Sequence, residues 1–379
     1  IKFVIIKNYR TNQLITVRIS SKNIPIKQIM LKIGILNVTG YGGSELVRIL
    51  KNHPEVQLKS ITGRSSAGKK IGEVFPHLND YHLTIQTEIS EEVDLVFSAL
   101  PHKASAEVLG PLIKSGIRCI DFSADFRLPI DLYESIYQVK HPYPELLESF
   151  TYGLPELFKE EIKHADNIAN PGCFPTGALI PLSQFFKGTY AKGKYSVIID
   201  SKTGISGAGR STKIDFNFSE INDNFSAYGL EGHRHQPEIN YHLSRYLKNN
   251  RRDEEESNAP QNIIFTPHLS PMVRGIFTTC YIVSSDNQNV KIDKKNTTFT
   301  KWLKNSPNVK DVRGTNNCLM YFDESNSTKM KSQENDNVYR MISVIDNLVK
   351  GAAGQAVHNM NLMYGFPEKM GLDNIAIYP

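Results

Sequence analysis

The chain has 379 residues, 40% hydrophobic and 22% charged, a composition that excludes wholesale disorder and a length that allows two or three domains with their own cores. Its 44 basic and 39 acidic residues leave a formal charge of +5, scattered with no basic stripe interleaved with aromatics, so no nucleic-acid partner is expected. No apolar run approaches the ~18 residues of a membrane span, and four widely spaced cysteines without a CxxC pair point to a reducing, cytoplasmic compartment.

The first residue is Ile, and residues 1–30 hold short apolar pieces broken by Lys and Arg, with no h-region and cleavage site. They are read as an N-terminal extension without an assigned role. From Leu31 the pattern changes: LKIGIL predicts a buried strand, NVTGYGG a Gly-rich turn, and SELVRILKNHP a helix with Ser44 as N-cap and Pro54 beyond its end. VQLKSIT (56–62), VDLVFSAL (93–100) and IRCIDFS (117–123) read as further strands, with a helix between Pro101 and Gly116. Strands alternating with helices predict a parallel sheet with right-handed crossovers. Beyond about residue 170, a helix over 176–187 leads to strands at 195–203, 261–267, 275–283 and 338–345, which predict a second, mostly antiparallel α+β unit. The polar segments 251–258, 284–297 and 322–337 read as solvated loops.

Gly34, Gly40, Gly42 and Gly43 lie around a strand–turn–helix junction, where Thr39-Gly40-Tyr41-Gly42-Gly43 would let backbone N–H groups at a helix N-terminus approach a pyrophosphate. A tight turn that binds nothing is the rival reading, and the strand–helix context outweighs it. Asn37 stands where dinucleotide folds commonly place glycine; Asn tolerates positive φ, so the turn survives. The second strand ends in Thr-Gly-Arg64-Ser65-Ser66 with no acidic residue for a ribose, and an arginine with two hydroxyls suits a 2′-phosphate. NADP(H) is therefore expected rather than NAD.

NPGCFPT (170–176) sets Cys173 in a rigid Pro-Gly frame at or just before a helix N-terminus, where the dipole is expected to lower the thiol pKa. Cys119 and Cys280 sit inside apolar strands and read as buried hydrophobes, and Cys318 has no reactive context. GHRHQPEI (232–239) crowds His233, Arg234, His235 and Glu238; Pro237 is expected to start a helix, leaving both histidines on the loop before it. No third or fourth ligand has suitable spacing, so no metal is expected. An imidazole passing protons, with Arg234 holding an anion, fits better than surface histidines. SKTGISGAGR (201–210) offers Ser206 and Gly207 to a phosphate or nicotinamide, with Lys202 and Arg210 as cations, and DFSADFRL offers Arg127 to a substrate carboxylate.

Together these segments resemble the N-acetyl-gamma-glutamyl-phosphate reductase family. TGYGGSEL, TGRSSAGKKIGEVFPHL, SALPHKAS, DFSADFRL, YGLPEL, NPGCFPT, SKTGISGAGR, GHRHQPEI, HLSPMVRGI and DNLVKGAAGQAVHNMNLM occur in the family's order across residues 31–379. The resemblance implies an α/β fold of the glyceraldehyde-3-phosphate and aspartate-semialdehyde dehydrogenase type. In it a Rossmann dinucleotide-binding domain (31–169 plus a returning helix in 347–379) joins an α+β catalytic and oligomerisation domain with a mixed sheet (170–346). It implies a homo-oligomer, contacts from Ser98, Pro101, Asn347 and Gln355 near the cofactor, and an acyl phosphate substrate. Cys173 would form a thioester with N-acetyl-glutamyl phosphate, and NADPH would reduce it to the semialdehyde. His235 or His233 would move the proton; His235 is preferred because Glu238 lies near enough in sequence to orient it. The rival within the chemistry is a paralogous reductase of aminoadipyl phosphate or carrier-linked glutamyl phosphate. The rival of another class is a non-catalytic dinucleotide sensor, which has no use for a thiol beside an imidazole.

Overall fold

Where the chain reads LKIGIL, both faces of the strand are covered, and the apolar run is continuous rather than alternating, as a parallel sheet requires. The computed structural model describes residues 2–8, 13–19, 30–90, 92–188, 195–210, 213–250, 260, 262–284, 292, 294–323, 328–329 and 337–378. The expected loop 251–258 and most of 284–297 and 322–337 lie outside these.

In the N-terminal extension, β1 (Lys2–Asn8) pairs antiparallel with β2 (Gln13–Ile19), from Lys2 opposite Ile19 to Asn8 opposite Gln13. The first large sheet follows in order as β3 (Leu31–Leu36), α1 (Tyr41–Leu50), β4 (Val56–Ile61), β5 (Leu95–Ser98), α2 (Ser105–Lys114), β6 (Arg118–Asp121), α3 (Ile130–Tyr137), β7 (Phe150–Tyr152), α4 (Pro155–Lys163) and β8 (Asn167–Ala169). All its pairings are parallel, in the order β4-β3-β5-β6-β8-β7. The strand order reverses between β3 and β5, so their carboxyl ends frame the crevice where doubly wound folds bind ligands. Helix α1 starts three residues before the expected cap: Gly40 holds the N-cap position, and the Ser44 hydroxyl instead donates to the Tyr41 carbonyl. The two glycines that follow Tyr41 let the helix begin as soon as the chain leaves the turn.

The second sheet comprises α5 (Cys173–Gly188), β9 (Tyr195–Gly204), β10 (Ser226–Ala227), α6 (His235–Asn249), β11 (Asn262–Ser270), β12 (Ile276–Ser284), β13 (Thr300–Trp302), β14 (Cys318–Phe322), β15 (Thr328–Lys329) and β16 (Asn337–Ile345). Its order is β10-β11-β9-β12-β16-β14-β13, with β15 against β16. Parallel pairings of β9 with β11 and of β13 with β14 make it mixed, the remainder being antiparallel. Helix α5 lies on one face through buried Ala178, Leu179, Leu182 and Phe185, and the Ser343 hydroxyl of β16 donates to its Gly177 carbonyl at 2.6 Å.

From β16 the chain passes through a π-turn (Val349–Ala353) into α7 (Gly354–Tyr364), every residue of which is buried. A helix buried on all sides has to be surrounded by protein, and α7 packs back on α1 and α4 of the first sheet. One apolar cluster runs from Ile33 and Leu46 through Phe158 and Leu179 to Met341 and Met360, joining both sheets. Arg274 adds an ionic link, donating to Glu45 of α1 at 2.7 Å while pairing with Asp346 at 3.1 Å.

Candidate active site

Asn170-Pro171-Gly172 leaves β8 and enters α5, whose first residue is Cys173. This loop is held from several elements. Arg127 Nε donates to the Asn170 carbonyl at 2.8 Å, and Asn170 Nδ2 donates to the Ala352 carbonyl of the π-turn at 3.1 Å. Asn359 of α7 donates to Asn170 Oδ1 at 3.1 Å. Glu238 of α6 accepts the Gly172 N–H at 2.9 Å and the Tyr152 hydroxyl at 2.7 Å on one oxygen, and Arg127 Nη1 at 3.0 Å on the other. The Arg127 and Glu238 side chains are 4% and 2% exposed, a buried ion pair whose remaining groups are hydrogen-bonded.

Behind Cys173 stands the π-turn. Its i→i−5 bonds run from Gly351 N to Asp346 O and from Ala353 N to Leu348 O, both 2.9 Å. A Cβ at Gly351 would lie 2.8 Å from Cys173 Cβ, so only glycine allows the turn this close. Lys350, wholly buried, anchors the turn by donating to Glu156 at 2.7 Å.

His235 is the first residue of α6, and a Cβ at Gly172 would come 2.6 Å from its Nε2. Its Nδ1 is buried with no hydrogen-bond partner among the described residues. Burial, then the nearby His233, Arg127, His102 and Arg234, hold its pKa well below the ordinary imidazole value, so the ring is neutral at pH 7. His233 Nδ1 accepts the His235 backbone N–H at 3.1 Å and so caps α6; burial and Arg234 lower its pKa to about 4. His102 Nδ1 accepts the Ala124 N–H at 2.8 Å, and burial with Arg127 and Arg234 lowers it to about 3. The exposed Arg234 guanidinium lies 5.6 Å from the Tyr137 ring centre, with His102 on the same ring.

At the crevice, Asn37 adopts φ +59°, the left-handed conformation that a glycine would otherwise supply. Its N–H donates to Thr62 Oγ1 at 3.2 Å and its Nδ2 to the Ala99 carbonyl at 2.8 Å, tying together the ends of β3, β4 and β5. A Cβ at Gly43 would sit 2.5 Å from the Asn37 carbonyl, so the helix packs against the turn only as glycine. No side chain caps the first turn of α1, leaving its N–H groups for an anion. Arg64 and Ser65 are exposed beyond β4, and Arg64 has no carboxylate partner among the described residues. Pro101 is exposed beyond β5. Asn347 bridges the Gly275 N–H at 2.7 Å and the Ser206 hydroxyl at 2.9 Å, with Gly207 alongside. This set fits a dinucleotide.

Residues 32–165 match the semialdehyde dehydrogenase NAD binding domain, and residues 173–347 the semialdehyde dehydrogenase dimerisation domain. N-acetyl-gamma-glutamyl-phosphate reductases of Dehalococcoides mccartyi and Geotalea daltonii are 43% and 40% identical over 92% of this chain, and over 99% and 100% of their own lengths. The chain belongs to the N-acetyl-gamma-glutamyl-phosphate reductase family. Aspartate semialdehyde dehydrogenase with NADP from Candida albicans has TM-score 0.62 and 14% identity over 89% of this chain and 99% of its own. Aspartate semialdehyde dehydrogenase II of Vibrio cholerae complexed with ASA has 0.61 and 16%, over 88% and 98%. Those two likenesses concern the fold, the one the resemblance implied.

Within this N-acetyl-gamma-glutamyl-phosphate reductase frame, several expectations about individual residues are corrected. Burial outweighs the helix dipole at Cys173: it pushes the thiol up to about 11, against the Phe174 N–H and Arg127, which pull it down. His235 is helical rather than on the loop, because a first-turn Pro237 lacks only an N–H that needs no partner there. Glu238 does not orient His235; its oxygens are taken by Arg127, Tyr152 and Gly172. Arg127 is not open to a substrate carboxylate, since Glu238 and the Asn170 and Phe122 carbonyls take its donors. Lys202 pairs with Asp200 at 2.5 Å. Strand alternation puts it on the sheet face opposite Ser201 and Thr203, away from α5. Arg210 reaches the Gly-rich turn rather than the thiol, and the Ser98 hydroxyl is buried against Ser105 at 2.7 Å. Gln355 donates to the Gly153 carbonyl at 2.8 Å, holding a loop.

Sequence reasoning missed His102, Asn170, Tyr152 and the π-turn. A histidine following the proline that ends a strand segment, and GAAG beside a helix, were the available signals.

The raised thiol pKa has a measurable consequence. Cys173 is partly exposed, whereas the other three cysteines, also free, are buried. In the ligand-free protein, iodoacetamide should modify Cys173 about tenfold faster per pH unit from pH 7 to 9, as the thiolate fraction grows toward the pKa of about 11. A rate already level below pH 8 would show a dipole-stabilised thiolate instead.

Proposed function

We propose that this chain uses NADPH to reduce N-acetyl-L-glutamyl 5-phosphate to N-acetyl-L-glutamate 5-semialdehyde and phosphate, through a Cys173 thioester, in arginine biosynthesis. The observation that carries the reading is Cys173 opening buried helix α5, with His235 packed against the adjoining Gly172, beside a dinucleotide crevice, in a chain of this reductase family.

Neutral His235 takes the thiol proton as Cys173 Sγ attacks the acyl carbon, and returns it to the departing phosphate as the acyl C–O bond breaks. An anionic substrate offsets the cationic field of Arg127 and Arg234 and so raises the proton affinity of the imidazole during this step. Backbone N–H groups at the start of α5 face the sulfur and the oxyanion beside it. A dinucleotide held at the crevice would supply the hydride, which adds to the thioester carbon to leave a thiohemiacetal oxyanion. Its collapse releases the aldehyde and the Cys173 thiolate, which is reprotonated from solvent through His235. Exposed Arg234, with His102 on the same Tyr137 ring, is suited to hold the anionic end of the substrate.

Division of the chain into 31–169 plus 347–379 and 170–346 suits this reading, with α7 closing the first unit. A homo-oligomer is supported by the dimerisation-domain match and by neighbouring Ile198 and Ile264, 39% and 56% exposed on the outer face of the second sheet. Four free thiols favour the cytoplasm.

The reverse reaction tests the function. Protein, NADP, phosphate and N-acetylglutamate semialdehyde should generate NADPH absorbance, with the aminoadipate homologue competing poorly. Preference for the longer or a carrier-linked substrate would transfer the assignment to the paralogous reductase. For the cofactor, Arg64→Ala should weaken NADPH about 10–100-fold more than NADH, the worth of a charge-assisted contact to phosphate; equal losses would overturn the 2′-phosphate contact.

A further inference from the structure

We propose that Arg210, carried by the loop after β9, is a second cation for the 2′-phosphate of NADPH, delivered to the first sheet from the second. The inference rests on the NADPH reading above. Asn347 and the Val273 carbonyl hold the root of the loop through the Ser206 hydroxyl and N–H at 2.9 and 3.1 Å. Gly209, at φ +84°, turns the chain in a conformation that disfavours any side chain. Beyond it Arg210 Nη1 donates to the Thr39 carbonyl at 3.2 Å, and the guanidinium lies 4.8 Å from the Phe75 ring centre.

Thr39 is the link to the phosphate end of the site. Its Cγ2 would stand 2.9 Å from a Cβ at Gly63, the residue before Arg64, so Thr39 packs directly against the turn that carries Arg64. Arg210 and the turn that carries Arg64 thus meet at one residue, Thr39. Both arginines are exposed, and neither has a carboxylate partner among the described residues. Phe75 lies under the Arg210 guanidinium, and only Nη1 has a hydrogen-bond acceptor among the described residues, which leaves further donors for an anion. The thiol side already has its exposed cation in Arg234, so Arg210 is not needed for the substrate.

Binding measurements on the intact protein test this without turnover. Dissociation constants for NADPH, NADH, adenosine 2′,5′-bisphosphate and 5′-AMP would be compared for wild type, Arg210→Ala, Arg210→Lys and Arg64→Ala, with thermal melting to exclude misfolding. Arg210→Ala should weaken NADPH and the bisphosphate about tenfold or more, and NADH and 5′-AMP less than about twofold; Lys should restore part of the loss. Equal weakening of NADPH and NADH would overturn the inference in favour of a pyrophosphate contact or a structural tether. Selectivity lost in Arg64→Ala but kept in Arg210→Ala would overturn it while the NADPH reading stands. Selectivity kept in both would overturn both.

Discussion

Cys173→Ser loses reductase turnover by about 10⁴-fold or more while NADPH affinity stays within about twofold of wild type. The substitution is nearly isosteric, and its Cβ keeps the close contact with Gly351, so the loop and α5 retain their places. What changes is acidity. A serine hydroxyl is far harder to ionise than a thiol, and a neutral His235 in a cationic surrounding is a weak base. The dinucleotide crevice at β3 and β5 shares no residue with the nucleophile, which is why binding and turnover should separate. Mass spectrometry after mixing wild-type protein with acyl phosphate and no NADPH should find the acyl group on Cys173 alone. Turnover within tenfold of wild type, or acylation at another residue, would remove the covalent mechanism.

Glu238→Ala should destabilise the protein by about 3–5 kcal/mol and lower kcat beyond what lost folding explains. The carboxylate has three donors, and truncation leaves Arg127 as a buried cation with no counter-charge. It also frees the Gly172 N–H next to the nucleophile, and small displacements of a reacting group cost rate steeply. Arg127→Met with Glu238→Leu separates the two consequences. Neutralising both partners should recover much of the urea stability, because no unpaired charge remains, yet not kcat, because Asn170 and Gly172 still lack their anchors. Recovery of both would reduce Glu238 to charge compensation. A single variant within 1 kcal/mol of wild type would show that the pair is not costly to break.

Features that depend on neighbouring residues were legible in the sequence. Asn37 at positive φ, Gly43 against the turn, and Cys173 opening a helix all follow from backbone sterics within a few residues. The parallel first sheet was legible from strands alternating with helices, and the second from runs of strands with fewer helices. The side of the sheet that Lys202 takes was legible too, since strand alternation sets it on the face opposite Ser201 and Thr203. Arg127 and Glu238 were not legible as partners. They stand 111 positions apart, and nothing local distinguishes an arginine that meets a substrate from one that meets a carboxylate.

By itself, then, the sequence determined the central strands of each sheet, the contrast between the two sheets, the residue types at the site and the chemistry open to them, whereas the short elements Ile130–Tyr137, Phe150–Tyr152, Pro155–Lys163, Asn167–Ala169 and Cys318–Phe322 carry too little pattern to be read. What it determined depends on short-range sterics, hydrophobic period and functional-group identity, which the chain carries locally. Only the tertiary structure decided the electrostatics. The dipole argument at Cys173 was sound in sign, but how far burial offsets it depends on the π-turn, α6 and Arg127 arriving from distant positions. The same holds for the arginines: Arg127 is spent inside the fold, whereas Arg64, Arg210 and Arg234 face outward with no carboxylate partner among the described residues. Desolvation and Coulomb terms sum over everything within several ångströms, and that neighbourhood exists only once the chain has folded.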